Sequence, residues 1–306
     1  MNATSPSVAI IIPTCGRQEA LKVCLRQILP YVKQHSECLI VVSDDGAAHE
    51  TRSQLAAEFG GVQIVQGPRN GPAANRNWGA AHSRGDLLIF LDDDCRPEPS
   101  LIAEYQFAAR ENPKCGVFEG RTTAEGKAES FGDSAPANET GGKLWSCNFA
   151  IRRELFARVG GFDERFPFPA MEDIDFQFRL SNESSILFVP EARVYHAFQR
   201  RVGWKVLRHH SLSNLLYMHL HGLKATQRGP MFFARAAARE VVFGGMRILH
   251  RQAAKDPHHQ ILVIWTNMQF LLITLCWRFH SYLATKVFPA CCGGCRSIHA
   301  SLSVND

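Results

Sequence analysis

Four short apolar or β-branched runs, Val8–Ile12, Cys38–Val42, Val62–Gln66 and Leu87–Leu91, mark the first part of the chain as strands, each followed by polar residues. The intervals leave room for a crossover helix between neighbouring strands. Between the first two, Ala20, Leu21, Cys24, Leu25, Ile28 and Leu29 recur at helical spacing, and Pro30 is expected to stop that helix. The pattern predicts an α/β fold with a mostly parallel, helix-flanked central sheet. In open sheets of this kind ligands gather at the carboxyl ends of the strands. Polar motifs fall at those ends here: Pro13-Thr14, then Ser43-Asp44-Asp45-Gly46, then Asp92-Asp93-Asp94. Beyond about residue 200 the period turns helical. Phe232, Phe233, Ala236, Ala237, Val241, Ile248 and Leu249 form one stripe over 230–251, with Arg235, Arg239 and Arg247 off it, an amphipathic basic helix. Residues 261–277 carry no charge but are interrupted by Asn267 and Gln269, which suits a core or membrane-interface helix better than a crossing. We therefore expect an α/β domain over 1–200 and a basic helical region over 201–306, with a flexible tail from about 290.

Charge sharpens that division. Residues 1–192 hold 19 Lys and Arg against 26 Asp and Glu, whereas 193–306 hold 15 against 3. A basic second part suits a phosphorylated substrate or an anionic membrane face. It does not suit nucleic acid, because no finger spacing, ribonucleoprotein motif or recognition helix accompanies the cations. Met1–Ser7 is polar and Val8–Ile12 is too short for a signal core, so no secretory leader is expected. The ten cysteines are scattered rather than framing short loops, which fits reduced thiols in a cytoplasm; Cys291, Cys292 and Cys295 fall in the tail.

Three adjacent carboxylates at a strand end repel one another and lose hydration, unless a cation or polar ligand lies between them. All-oxygen ligation suits a hard divalent cation, and such ions in enzymes usually hold phosphates. Asp45, at the second strand end, can accept from a base N–H or a ribose hydroxyl, or else form an Asx turn with Gly46. Gly71-Pro72 reads as a loop entering a helix whose free N–H groups can meet phosphate, with Arg76 and Asn77 on its early turns. Arg76 suits a bidentate diphosphate clamp or, equally by spacing, a surface ion pair.

The motifs Val8-Ala-Ile-Ile-Ile-Pro-Thr-Cys-Gly-Arg17, Val41-Val-Ser-Asp-Asp-Gly46, Gly71-Pro-Ala-Ala-Asn-Arg-Asn-Trp-Gly79 and Gly85-Asp-Leu-Leu-Ile-Phe-Leu-Asp-Asp-Asp94 together resemble the family 2 glycosyltransferases. Ser146–Arg153, Val159–Glu164 and Glu172–Arg179 continue the likeness, which covers roughly residues 7–200. The resemblance implies a GT-A type nucleotide-sugar-binding fold followed by a helical C-terminal region. It also implies inverting transfer of one sugar from a nucleotide-diphosphate donor, UDP-sugar favoured, to an acceptor hydroxyl, with Mn2+ or Mg2+ as cofactor. By the family pattern Pro13, Thr14, Arg17, Asp45, Gly71, Arg76, Asn77, Asp92 and Asp93 line the donor. Asp94 ligates the metal, with Asp92 reaching ribose or metal and His196 as a further ligand. Asp173 is the candidate base, Glu172 binds acceptor and Asp175 is structural. Phe166-Pro-Phe-Pro-Ala170 precedes the second acid group as a loop able to lay an acceptor across the site. The basic region adds a lipid-linked acceptor and peripheral attachment to the cytoplasmic membrane face. Two alternatives stand beside this reading. A processive polysaccharide synthase is only faintly echoed by Gln199–Trp204, and a catalytically silent nucleotide-sugar or membrane-binding module does not need two intact acidic groups. A sugar-phosphate nucleotidyltransferase would carry a glycine-rich basic loop after its first strand, which Pro13-Thr14-Cys15 is not.

Overall fold

The computed structural model describes residues 5–35, 37–128, 133–200 and 204–221. Strand and helix alternate strictly through β1 (Val8–Thr14), α1 (Gln18–Val32), β2 (Cys38–Asp44), α2 (His49–Glu58), β3 (Val62–Gln66), α3 (Gly71–Ala81) and β4 (Leu87–Leu91). The pattern then loosens: β5 (Cys95–Pro97), α4 (Leu101–Glu111), β6 (Val117–Glu125), β7 (Asp133–Ser134), β8 (Asn148–Arg152), α5 (Arg153–Arg158), α6 (Glu172–Ser181), β9 (Ile186–Ala197), β10 (Gln199–Arg200) and α7 (Trp204–Leu220). Eight strands form one sheet in the order β3-β2-β1-β4-β8-β6-β9-β5, and β7 pairs with β10 in a small ribbon.

Every residue of β1 and β4 is buried, which is why both read as unbroken apolar runs. Alternate residues feed opposite faces. Ile10, Ile12, Ile40 and Ile89 join Leu21, Leu25 and Ile28 of α1 on one side, while Ile11, Val41, Leu88 and Phe90 join Phe149, Phe162 and Phe176 on the other. Each such side chain contributes about 1.5–3 kcal/mol on burial. The aromatic cluster has a positional consequence. Phe162 stacks on Phe176 at 4.3 Å and Phe90 on Phe149 at 4.8 Å, so the start of α6 is fixed against the sheet beside the end of β4.

The sheet is mostly parallel, as expected: the β3-β2-β1-β4 block and the β6–β9 pair are parallel, while β8 runs antiparallel to both β4 and β6, and β5 antiparallel to β9. Antiparallel neighbours need no crossover helix, and helical period gives no hint of them. One expectation is corrected: Pro30 does not end α1, which continues to a buried Val32. A proline this close to the terminus removes a single hydrogen bond, and apolar burial beyond it sustains the last turn.

Between Gly120 and Arg121 the β6–β9 register slips, and Asn148 fastens the irregularity. Its amide donates to Arg121 O at 2.9 Å and Ala192 O at 3.0 Å, while Tyr105 donates to its Oδ1 at 2.8 Å. Such irregularities re-aim a strand. Here the end of β9 meets β5 with His196 opposite Cys95, and that pairing sets His196 beside Asp94.

Chain contacts divide the protein into Met1–Val202 with Leu212–Tyr217, and Gly203–Ser211 with Met218–Asp306; α7 carries residues of both units. The stripe over 230–251, the uncharged segment over 261–277 and the tail cysteines lie outside the described residues. No helix among the described residues is long and apolar enough to cross a membrane. The six described cysteines are free thiols.

Candidate active site

The aspartate run is not extended, as alternation along a strand would have it, but turns between β4 and β5, with Cys95 N–H on Asp92 O at 3.2 Å. Asp92 consequently faces Arg76, whereas Asp93 and Asp94 share Arg17 and differ in their further partners. Asp93 is fully buried; Thr14 Oγ1 donates to it at 2.6 Å and Arg17 Nε at 3.2 Å, with a second Arg17 nitrogen in close contact. Burial pushes its carboxyl up to about 7 even against those two partners. Asp92 accepts from Arg76 at 2.9 Å.

Asp94 lies 3.3 Å from His196 Nε2 through one oxygen, while its other oxygen accepts from Arg17 at 2.6 Å and from Gln199. Burial works against its charge, but His196 and Arg17 outweigh it and hold the carboxyl below the ordinary range. In return, burial of His196 is overcome by Asp94, lifting the imidazole to about 9. The His196 Nδ1 side rests on Ala197 O at 2.8 Å, the outer contact that orients a metal-binding histidine. Asp94, Cys95 and His196 offer donor atoms within 4.8 Å of one another. The carboxylate suits a manganese or magnesium ion, and the added imidazole, a softer ligand, favours manganese of the two. The buried Cys95 thiol does not join them. It points to Cys147 O at 3.7 Å, and burial and Cys147 raise its pKa well above the ordinary value, so it stays protonated.

Arg76 links the two acidic groups. Its side chain is 6% exposed, and one nitrogen donates to Asp92 at 2.9 Å while another donates to Glu172 at 3.2 Å. Phe162 supports the guanidinium at 5.6 Å. Burial opposes its charge, yet Asp92 and Glu172 more than compensate and raise its pKa. Both acids at the start of α6 are shifted up: Glu172 by burial and the charge of Asp173, Asp173 by burial against the pull of Arg76 and the Ile174 N–H. Glu172 is nearly inaccessible; Asp173 is half-buried and keeps an oxygen beyond the one on Ile174 N–H at 2.8 Å. Met171, just before them, sits at φ 70°, a conformation that costs a non-glycine residue about 1–3 kcal/mol and clusters at functional sites. Asp175 pairs with Arg179 at 2.8 Å one turn on, a structural contact.

Other sequence candidates take less direct positions. The Asx turn belongs to Asp44, whose Oδ1 accepts from Gly46 and Ala47 N–H at 2.8 and 2.9 Å. Asp45 is left half-buried, with Oδ1 on Arg69 N–H at 2.8 Å and burial raising its pKa. Pro13 is buried within β1. The Asn77 amide meets Phe162 O, Phe162 N and Glu164, all at 2.9 Å, and so braces the loop before α6. Gly71, at φ +89°, leaves no room for a Cβ against the Pro167 carbonyl, which seats the 166–170 loop on the start of α3. Gln199 at Asp94, the Asn75 amide on Thr14 O at 3.2 Å and the close approach of Gly67 to Asp45 had no sequence signal beyond polar residue type. A cavity of about 710 Å³ opens at the other end of the strands, between Gln34, Glu37, Gln106 and Arg110, away from these acids.

A glycosyl transferase family 2 model matches residues 9–160, and a glycosyltransferase-like family 2 model matches 144–216. An uncharacterised glycosyltransferase of Haemophilus influenzae is 29% identical over 192 residues, 58% of this chain and 63% of that protein. Two solved structures share the fold. A mannosyltransferase of Pyrobaculum calidifontis, in complex with GDP-Man and Mn2+, aligns with TM-score 0.53 and 17% identity over 94% of this chain and 87% of its own. GalNAc-T7, with UDP, GalNAc and Mn2+, aligns with TM-score 0.55 and 14% identity over 71% of this chain and 48% of its own. The architecture is therefore GT-A. By the matched models and these relatives, the chain belongs to glycosyltransferase family 2. It spans less than two thirds of the length of the Haemophilus relative.

Proposed function

We propose that this protein is an inverting, divalent-cation-dependent glycosyltransferase that moves one sugar from a nucleotide-diphosphate donor to an acceptor hydroxyl. The observation that carries the reading is Arg76, whose one guanidinium joins Asp92 to Glu172 and so brings together acids 80 residues apart along the chain. Asp173 follows Glu172 at the start of α6. In a single displacement the acceptor oxygen bonds the anomeric carbon as the bond to the diphosphate oxygen breaks, and Asp173 takes the acceptor proton. Its raised pKa brings its basicity nearer to neutral pH. Asp94 and His196 would hold the Mn2+ or Mg2+, which supplies charge stabilisation to the departing diphosphate. Both solved relatives contain Mn2+.

A uridine donor is favoured by Asp45. One of its oxygens accepts from Arg69 N–H, and its remaining acceptor sites suit the imide N–H of a uracil ring. The cation excess over 193–306 supports a lipid-linked acceptor and peripheral attachment to a cytoplasmic membrane face, as in envelope polysaccharide, glycolipid or natural-product glycosylation. The test is a thermal-shift panel of UDP-, GDP- and dTDP-sugars with and without Mn2+, followed by assay of donor hydrolysis. A uridine donor raising the melting temperature only with Mn2+, and slowly releasing free sugar, supports the reading. Donor binding with no sugar released would instead mark a binding module.

A further inference from the structure

We propose that Arg17 is the resident cation of the donor-free site: it holds Asp94 against metal uptake and passes to the diphosphate when donor and metal enter, so that the two bind cooperatively. This deepens the glycosyltransferase reading and rests on it for the identity of the second ligand. Arg17 Nη1 donates to Asp94 Oδ2 at 2.6 Å, and its Nε to Asp93 at 3.2 Å. Asp94 Oδ2 accepts from Arg17 and Gln199, while Oδ1 lies 3.3 Å from His196 Nε2 with no hydrogen-bond partner among the described residues. A metal ion taken up by Asp94 and His196 therefore has the Arg17 guanidinium on the same carboxylate. His196 can stay as a ligand once it sheds its proton, whereas a guanidinium has no lone pair to give and repels a divalent cation.

Exposure says which partner can leave. The Arg17 side chain is 45% exposed, against 12% for Asp94 and 0% for Asp93, so it covers the carboxylates from the solvent side. Asp93 is the pivot: deeply buried and held by Thr14 at 2.6 Å, it keeps the Nε–Nη2 edge of the guanidinium while Nη1 tilts away. A diphosphate is the ligand that can receive the released edge, since planar guanidinium and phosphate oxygens match in pairs. Metal alone leaves the displaced charge stranded beside it; metal with diphosphate does not.

The test is Mn2+ binding by electron paramagnetic resonance, with and without UDP as probe, for the full chain and for Arg17→Gln. The variant should bind Mn2+ about tenfold tighter without UDP, because a repelling unit charge is removed. Its ratio of affinities with and without UDP should shrink toward one. Removing Arg17 also strips Asp93 of its partner, so the double variant Arg17→Gln/Asp93→Asn is measured alongside. It leaves net charge unchanged and no orphaned acid, and should still tighten Mn2+ several-fold. Equal or weaker Mn2+ binding in a variant that melts like the parent overturns the proposal, and the double variant decides the matter if the single one does not fold. Failure of UDP to bind the parent protein would instead strike the glycosyltransferase reading, leaving the UDP-free comparison intact.

Discussion

Asp94, in the turn after β4, and the acid pair opening α6 are carboxylates alike, yet the fold treats them in opposite ways. Asp94 is surrounded by Arg17, His196 and Gln199, and its carboxyl is held down. Glu172 and Asp173 share the single guanidinium of Arg76, repel each other and are both pushed up. A carboxylate kept ionised is suited to hold a cation, and one made more basic is suited to take a proton. Arg76, touching Asp92 of that turn and Glu172 of the pair, keeps the two groups side by side while supplying too little positive charge to make them alike.

That contrast is broken most severely at its first member. Asp94→Asn should abolish Mn2+ binding and lower kcat/KM on the order of 10³-fold, read by metal titration and steady-state kinetics. Asp173→Asn should cost about 10²–10⁴-fold in kcat, the usual worth of a general base, while Mn2+ and UDP affinities stay unchanged. A parallel loss of Mn2+ affinity would show that the two groups are not separate in function. With Asp173 intact, activity should fall as pH drops through a value above the ordinary carboxylate range, because its pKa is raised.

Cutting the link itself tests stability. Arg76→Met leaves Asp92 and Glu172 without their shared partner and should lower unfolding free energy by about 3–5 kcal/mol in urea titration. A change near zero would mean that the two groups are held together by the aromatic cluster alone. The smallest effect is a proton. His196 is lifted from 6.5 to about 9, so in the metal-free protein its pairing with Asp94 stabilises fully below pH 6.5, and that contribution is lost as pH rises through about 9. Mn2+ needs the neutral imidazole, so its uptake at pH 7.5 should release a proton, seen as a buffer-dependent heat in calorimetry. His196→Gln should remove that dependence.

The parallel half was legible because strands covered on both faces are written as continuous apolar runs, and Val8–Ile12 and Leu87–Leu91 have no other reading at that length. The mixed half was not. β5 is three residues long, too short for any period, and β8 enters the sheet between β4 and β6 by pairings far apart along the chain. At the site, residue types at strand ends pointed to cation and phosphate chemistry. Which aspartate would be buried, which would take the Asx turn and which would meet histidine did not follow from spacing. Neighbouring acids are interchangeable in sequence until a turn aims them. Asp44 and Asp45 illustrate this, since the turn went to the first and left the second half-buried beside Arg69.

The sequence by itself determined the alternation of strand and helix, the ends at which polar groups collect and the kinds of side chain gathered there, since each follows from local period and composition. The tertiary structure alone decided that His196 stands opposite Cys95, that one arginine spans two acidic groups and that Arg17 covers Asp94. Those are long-range pairings, set by sheet register and by which charges share a buried space, and neither quantity exists until the chain is closed upon itself.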